Sequence, residues 1–147
     1  MDLSPDWVVG FIDGKGCFYV GFYEDPKMTP EYKVFPEFKV VQHSRDIKIL
    51  YTLKRFFRFG VVKKGHDDRY EYSVRKIEHL LKIVEFFEKH PLKTSKNVTF
   101  KKFAKIIRKI EKGEHLNKEG LKEIMKISLE MNTEEIRIDK KILEKLE

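Results

Sequence analysis

Gly10, Gly14 and Gly16 recur at short intervals around the end of the apolar run Val8-Val9-Gly10-Phe11-Ile12, with Asp13 and Lys15 set between them. Glycines four positions apart share a helix face and let a second backbone approach closely, so Gly10 and Gly14 suit helix-against-helix packing. They equally suit the plain end of a short core helix. Further on, Tyr19, Gly21 and Tyr23, then Lys33, Phe35, Glu37 and Lys39, then Lys63, Arg69, Glu71 and Ser73 occupy alternate positions of strand-like segments. Such a face carries the chemistry of base-edge reading: carboxylates accept from cytosine, while lysine and arginine donate to guanine or phosphate. The competing reading is the solvated side of an antiparallel sheet; the outward aromatics Tyr19, Tyr23 and Phe35 weigh against it. Five histidines at no ligand spacing and one cysteine, Cys17, speak against a zinc site. No Ser-His-Asp set and no phosphate-binding glycine loop is present.

The elements that must position these residues follow from local chemistry. Ser4-Pro5-Asp6 reads as a helix start, with a cap, a first-turn proline and an acid suited to the helix dipole; Gly14 and Gly16 punctuate its end. Cys17 to Tyr23 alternates as a strand. Tyr32 to Val41 alternates as a second, in which Pro36 donates no ladder hydrogen bond and so predicts an edge or a bulge. Ser44 is the expected cap of a second helix carrying Ile47, Leu50, Leu53, Phe56 and Phe57 at helical spacing, closed by Gly60. Val61 to Lys64 and Arg69 to Val74 form a hairpin, and Ile77 to Lys89 an amphipathic helix stopped before Pro91. Phe100, Phe103, Ala104, Ile107 and Ile110 mark a further helix. Two more are expected, at 121–129 and at 136–146 with Thr133 as cap. The order α-β-β-α-β-β-α is of the α+β class, and the second α-β-β half echoes the first without repeating its sequence.

Charge supports a polyanionic partner. The net charge is +7, and the excess lies in residues 42–96, with 14 basic against 7 acidic side chains; residues 1–41 carry 4 and 7, residues 97–147 carry 13 and 10. A lysine- and glutamate-rich solvated surface fits the same totals. The basic run Lys101, Lys102, Lys105, Arg108 and Lys109 reads as a wet helix face or a phosphate contact. No segment approaches the roughly 18–20 apolar residues that span a bilayer, no secretory leader is visible, and a lone cysteine suits a reducing compartment. An intracellular setting without membrane association is expected.

The segment Val8-Val9-Gly10-Phe11-Ile12-Asp13-Gly14-Lys15-Gly16-Cys17-Phe18 resembles the LAGLIDADG motif of homing endonucleases. Three further pieces follow in the family's order: Phe38-Lys39-Val40-Val41-Gln42-His43-Ser44-Arg45-Asp46, then Phe59-Gly60, then His90-Pro91-Leu92-Lys93-Thr94-Ser95-Lys96. The resemblance, over roughly residues 4–110, implies the αββαββα endonuclease fold with an antiparallel DNA-binding sheet and additional C-terminal helices. It implies one domain over 1–147, with a core of about 4–110 and C-terminal helices of about 111–147. A single motif implies a homodimer on a roughly palindromic double-stranded DNA target, with Trp7, Val9, Gly10, Asp13 and Gly14 at the helix pair. The family's activity is Mg²⁺-dependent hydrolysis of both strands, and Gly14 and position 15 are its metal-binding positions. There this chain departs: Lys15 stands where the family has Asp or Glu, and an ammonium does not ligate a hard cation. By resemblance Gln42 holds the hydrolytic water. Arg45 and Lys96 supply a basic pocket, with Lys93 and Ser95 sharing the turn of Lys96. The resulting expectation is an endonuclease that binds its site and cuts it poorly or not at all. The alternatives are a DNA-binding protein without catalysis and an intron RNA maturase.

Overall fold

Ser4 opens the first helix, α1 (Pro5–Lys15): its hydroxyl accepts from the Trp7 amide at 3.2 Å, and Pro5 occupies the first turn where no amide is needed. The helix runs to Lys15, and Gly16 closes it, its backbone N–H donating to the Ile12 carbonyl. The computed structural model describes residues 2–27, 32–131 and 144–146. Strand β1 is Gly16–Glu24 and β2 is Tyr32–His43. A short 3₁₀ turn, Ser44–Asp46, precedes α2 (Ile47–Phe57). The hairpin β3 (Val61–Lys64) and β4 (Arg69–Val74) and the helix α3 (Ile77–Lys89) keep the bounds that the sequence predicts. Helices α4 (Lys96–Glu111) and α5 (Lys118–Leu129) follow. Of the expected last helix, residues 144–146 are helical; the rest, and Thr133, lie outside the described residues.

The sheet order is β1-β2-β4-β3, with β4 antiparallel to both β2 and β3. Pro36 therefore lies in an inner strand rather than at an edge. The β2–β4 ladder begins only at the Phe38–Val74 pair, so the missing donor of Pro36 falls beyond it.

Backbone contacts group the chain into two units, one of Met1–Tyr19 and Glu37–Asn97, the other of Val20–Pro36 and Val98–Glu147; β1 and β2 pass through both. In the first unit, Phe38 is fully buried and its ring meets those of Phe18, Phe57, Tyr72 and Phe87 at 5.2, 6.3, 6.4 and 6.0 Å. Helices α2 and α3 thus cover one face of the sheet and leave the other open. Burial of such a ring contributes about 1.5–3 kcal/mol. Tyr72 is buried too, and its hydroxyl donates to the Phe59 carbonyl at 2.8 Å; burial pushes its phenol pKa up. Gly60 sits against that ring with φ of +93°, where a Cβ would come within 2.6 Å of the Tyr72 ring. Only glycine satisfies both the space and the backbone there.

In the second unit, Val20, Tyr32 and Val34 are buried, as are Phe100, Phe103, Ala104, Ile106, Ile107 and Ile110 of α4 and Leu121, Ile124 and Met125 of α5. Asn117 caps α5 by accepting from the Gly120 amide at 2.8 Å. The basic side of α4 is partly neutralised: Lys109 bridges Glu114 and Glu123 at 3.3 and 3.0 Å, and Lys102 reaches Glu130 at 3.6 Å. Among the described residues, no helix is long and apolar enough to cross a membrane.

Candidate nucleic-acid interface

Helix α1 buries Val8, Val9 and Ile12 and turns Trp7, Gly10 and Gly14 outward. Trp7 is 43% exposed and stacks on Phe11 at 4.9 Å. Among the described residues, a Cβ built at Gly10 or Gly14 meets nothing within 4 Å. The chain's own packing therefore gives no reason for glycine at either position. Val9, expected on the same face, belongs to the interior instead, because it projects about 100° from Gly10 toward Val8 and Ile12.

Asp13 also has a role within the chain. Its carboxylate accepts from the Lys93 amide at 2.7 Å, the Thr94 amide at 3.2 Å and the Thr94 hydroxyl at 2.7 Å. It ties the turn after α3 to the end of α1 within this chain. Burial works against its charge, but these hydrogen bonds, with Lys96 nearby, outweigh it and hold the carboxyl below its usual pKa. Lys96 donates from Nζ to the Ile12 carbonyl at 3.0 Å. Burial lowers its pKa, partly offset by Cys17 and Asp13.

At the end of α1 lies a cleft of about 660 Å³ lined by Gly14, Lys15, Gly16, Val41, Gln42, His43, Arg45, Asp46, Arg69 and Lys96. Lys15, Gln42, Arg45 and Lys96, drawn from three separate segments, meet in it. The β2–β4 register explains its far wall, since His43 pairs with Arg69 and Gln42 with Tyr70. His43, Asp46 and the place of Arg69 in this cleft were not foreseen. His43 caps the 3₁₀ turn, its Nδ1 accepting from the Arg45 amide at 3.1 Å, whereas α2, for which Ser44 was the expected cap, follows Asp46 with no side-chain cap bond. The Arg45–Asp46 pair, at 4.0 Å with side chains 77% and 57% exposed, is a weak contact.

Four cations, Lys15, Arg45, Arg69 and Lys96, thus share the cleft with one carboxylate. A hard divalent cation takes carboxylate and carbonyl oxygens. The donors here are one exposed acid already facing an arginine, an amide and backbone carbonyls, with an ammonium at position 15. Among the described residues, no group of three or more acid, histidine or cysteine side chains stands together. The residues present do not fit a bound Mg²⁺; they fit a phosphodiester.

On the open face in the first unit, Lys39 pairs across the ladder with Ser73, and Ser73 with Val61, while Glu71 pairs with Lys63. Lys63 and Glu71 approach to 3.5 Å, Arg69 is exposed and Tyr19 half-buried. Glu37 and Ser73 hold their predicted side of the sheet but are not exposed, at 4% and 2%. Ser73 donates to the Glu37 carboxylate at 2.5 Å, and Arg75 donates to it from Nε at 2.9 Å. Burial raises the Glu37 pKa, yet the bonds from Ser73 and Arg75 and the charges of Arg75 and Lys39 bring it below the usual value. Glu37 is thus a buried anchor for Arg75, a residue that the sequence reading missed because it lies one position past β4. In the second unit, Gly21 is buried, Lys33 is exposed with its Nζ 5.9 Å from the centre of the Tyr23 ring, and Tyr23 lies 6.5 Å from Phe35.

Comparison with known proteins assigns the lineage. The LAGLIDADG endonuclease family model matches residues 8–107. The probable intron-encoded endonuclease Cox1-I1b of Schizosaccharomyces pombe is 34% identical over 93% of this chain and 33% of its own length. An uncharacterized 50.9 kDa protein in ND4 intron 1 of Podospora anserina is 30% identical over 79% of this chain and 26% of its own. The chain thus spans a third or less of these curated relatives. Among solved structures, the homing endonuclease I-TnaI superposes with a TM-score of 0.96 at 58% identity, covering 100% of both chains. I-SmaMI, solved on an uncleaved DNA target with calcium ions, gives 0.87 at 33% identity over 89% of this chain and 45% of its own. This chain belongs to the LAGLIDADG endonuclease family.

Proposed function

We propose that the chain is a sequence-specific double-stranded DNA-binding member of its family whose metal-dependent cleavage is blocked at Lys15. The observation that carries this reading is the cleft in which Lys15, Arg45, Arg69 and Lys96 face one carboxylate. Such a site holds the phosphodiester of a target strand by charge, with Gln42 beside it as a neutral hydrogen-bonding group. Lys15 takes the position of a metal-binding acid and adds a positive charge where the cation would sit. In the first unit the open sheet face supplies base contacts from Lys39, Lys63, Arg69, Glu71 and Arg75; within the second unit, Tyr23, Lys33 and Phe35 form a separate group able to contact nucleic acid. Two copies pair through Trp7, Gly10 and Gly14 of α1, a pairing supported by the empty space over both glycines. DNA binding and the cleavage block are tested together with duplex DNA selected from a random library. The chain as it stands is expected to hold its selected site equally well in EDTA and in Mg²⁺, without cutting it. Lys15→Glu is expected to cut that site in Mg²⁺. A Lys15→Glu protein that binds the site and still leaves it intact overturns the assignment of the block to position 15.

A further inference from the structure

Helix α2 has one side in the core and another that differs in charge from the outer sides of α3 and α5. Leu50, Leu53 and Phe57 point inward, and the Phe57 ring lies parallel to that of Tyr72 at 6.4 Å. On the opposite side Lys48, Tyr51, Lys54, Arg55 and Arg58 are all exposed. At 100° per residue they fill an arc of about 120° with Tyr51 near its middle. No acidic residue occurs within the helix. Among the described residues none of Lys48, Lys54, Arg55 and Arg58 joins an ion pair. The outer sides of α3 and α5 are mixed by contrast: Glu78, Glu85 and Glu88 alternate with Lys82 and Lys89, and Glu119 and Glu123 with Lys118, Lys122 and Lys126.

Ordinary helix chemistry accounts for part of this pattern only. Lys54 and Arg55 in the last turn suit the helix dipole. Lys48 in the first turn opposes it, and Lys54 and Arg58 are like charges four positions apart, which is unfavourable. Arg58 also holds a left-handed conformation, φ of +71°, that glycine or asparagine adopts at lower cost. The positions keep their cations against local preference. Tyr51, 47% exposed, presents a ring with no ring partner among the described residues.

We propose that this face of α2 is a second nucleic-acid surface that takes a single strand, the cations holding phosphates and Tyr51 stacking on a base. That pairing of an exposed aromatic with a basic track is how proteins hold unpaired strands. A duplex offers no free base face to Tyr51, and the apolar side of α2 is spent in the core and unavailable to a lipid surface. The face looks away from the open side of the sheet, so the proposal stands independently of the duplex reading.

The test uses the full chain and fluorescence anisotropy with labelled 15-nucleotide oligo(U) and oligo(dT), and with the selected duplex, over a salt series. Tyr51→Ala is expected to weaken single-strand binding by roughly 5- to 150-fold, the range that one stacked base supplies. The double variant Lys48→Glu, Arg55→Glu is expected to weaken it at least about tenfold and to flatten its salt slope by roughly 1–2. Duplex affinity is expected to change less than about twofold in both. All substituted side chains are exposed, and circular dichroism melting checks that the variants fold. Binding confined to oligo(U), confined to oligo(dT) or shared by both supports the surface and names its source. No binding to either strand, equal losses on duplex, or polyglutamate binding as tightly as the strands and indifferent to Tyr51→Ala overturns it.

Discussion

Gly10→Ala separates the chain's own folding from its association, because the two should move in opposite directions. Within the chain, the new methyl meets nothing within 4 Å, and Gly10 sits mid-helix with no positive φ. The substitution should therefore stabilise the isolated fold by about 0.5–1 kcal/mol, the difference in helix propensity between the two residues. For a chain of this size that raises Tm by about 1–4 °C. If a second copy of α1 packs over the same surface, the methyl falls between two helix backbones. Overpacking at a close contact costs roughly 1–3 kcal/mol, which weakens the dimer by roughly 5- to 150-fold. Denaturation at a concentration below the association range reads the first effect, and sedimentation velocity across a dilution series reads the second. Gly14→Ala should show the same loss of association with a smaller gain in stability, since it lies in the last turn. A Gly10→Ala protein that melts higher and associates as tightly as the parent would refute the assignment of this helix face to a second copy.

Arg75→Met leaves the Glu37 carboxylate buried with Ser73 as its main remaining donor. Arg75 is itself 49% exposed, so the cost should fall at about 1–3 kcal/mol, below that of breaking a fully buried pair. Urea denaturation measures it, and adding Glu37→Gln should recover part of the loss. His115 has a buried Nδ1 without a hydrogen-bond partner among the described residues, and burial lowers its pKa from 6.5. Below about pH 6.5 the unfolded chain takes up a proton that the folded chain resists, so stability should fall as pH drops through that value and stay level above it. Urea midpoints from pH 7.5 to 5 check the slope against His115→Gln, which should lack that component.

Elements with strong local signals were legible in the sequence. The hairpin Val61–Lys64 and Arg69–Val74 and the helix Ile77–Lys89 follow from alternation and helical spacing alone. So does the inward set of α4. What escaped was set by non-local neighbours. Asp13 finds its partners in residues 93 and 94, eighty positions away, and no pattern around residue 13 announces them. Alternation places Glu37 on the correct face but says nothing of how Ser73 and Arg75 close over it. Ser44 looked like a cap by residue type, whereas the neighbouring imidazole of His43 reaches the Arg45 amide. The cleft residues Lys15, Gln42, Arg45 and Lys96 became a set only through family resemblance, since three segments bring them together. Arg69 joined them through the pairing of its strand with His43.

The lock between Gly60 and Tyr72 bears on how such a protein changes its target over evolutionary time. The phenol holds the Phe59 carbonyl from beneath the sheet, and the glycine leaves room for nothing larger. A slip of one residue would expel Tyr72 from the interior, so the alignment of β3 and β4 is set from the rear. Side chains at 63, 69 and 71 can then be exchanged without disturbing the ribbon that carries them. Under the proposed function, the reading surface becomes a set of replaceable letters on a fixed frame, and a lineage can drift to a new sequence without first refolding.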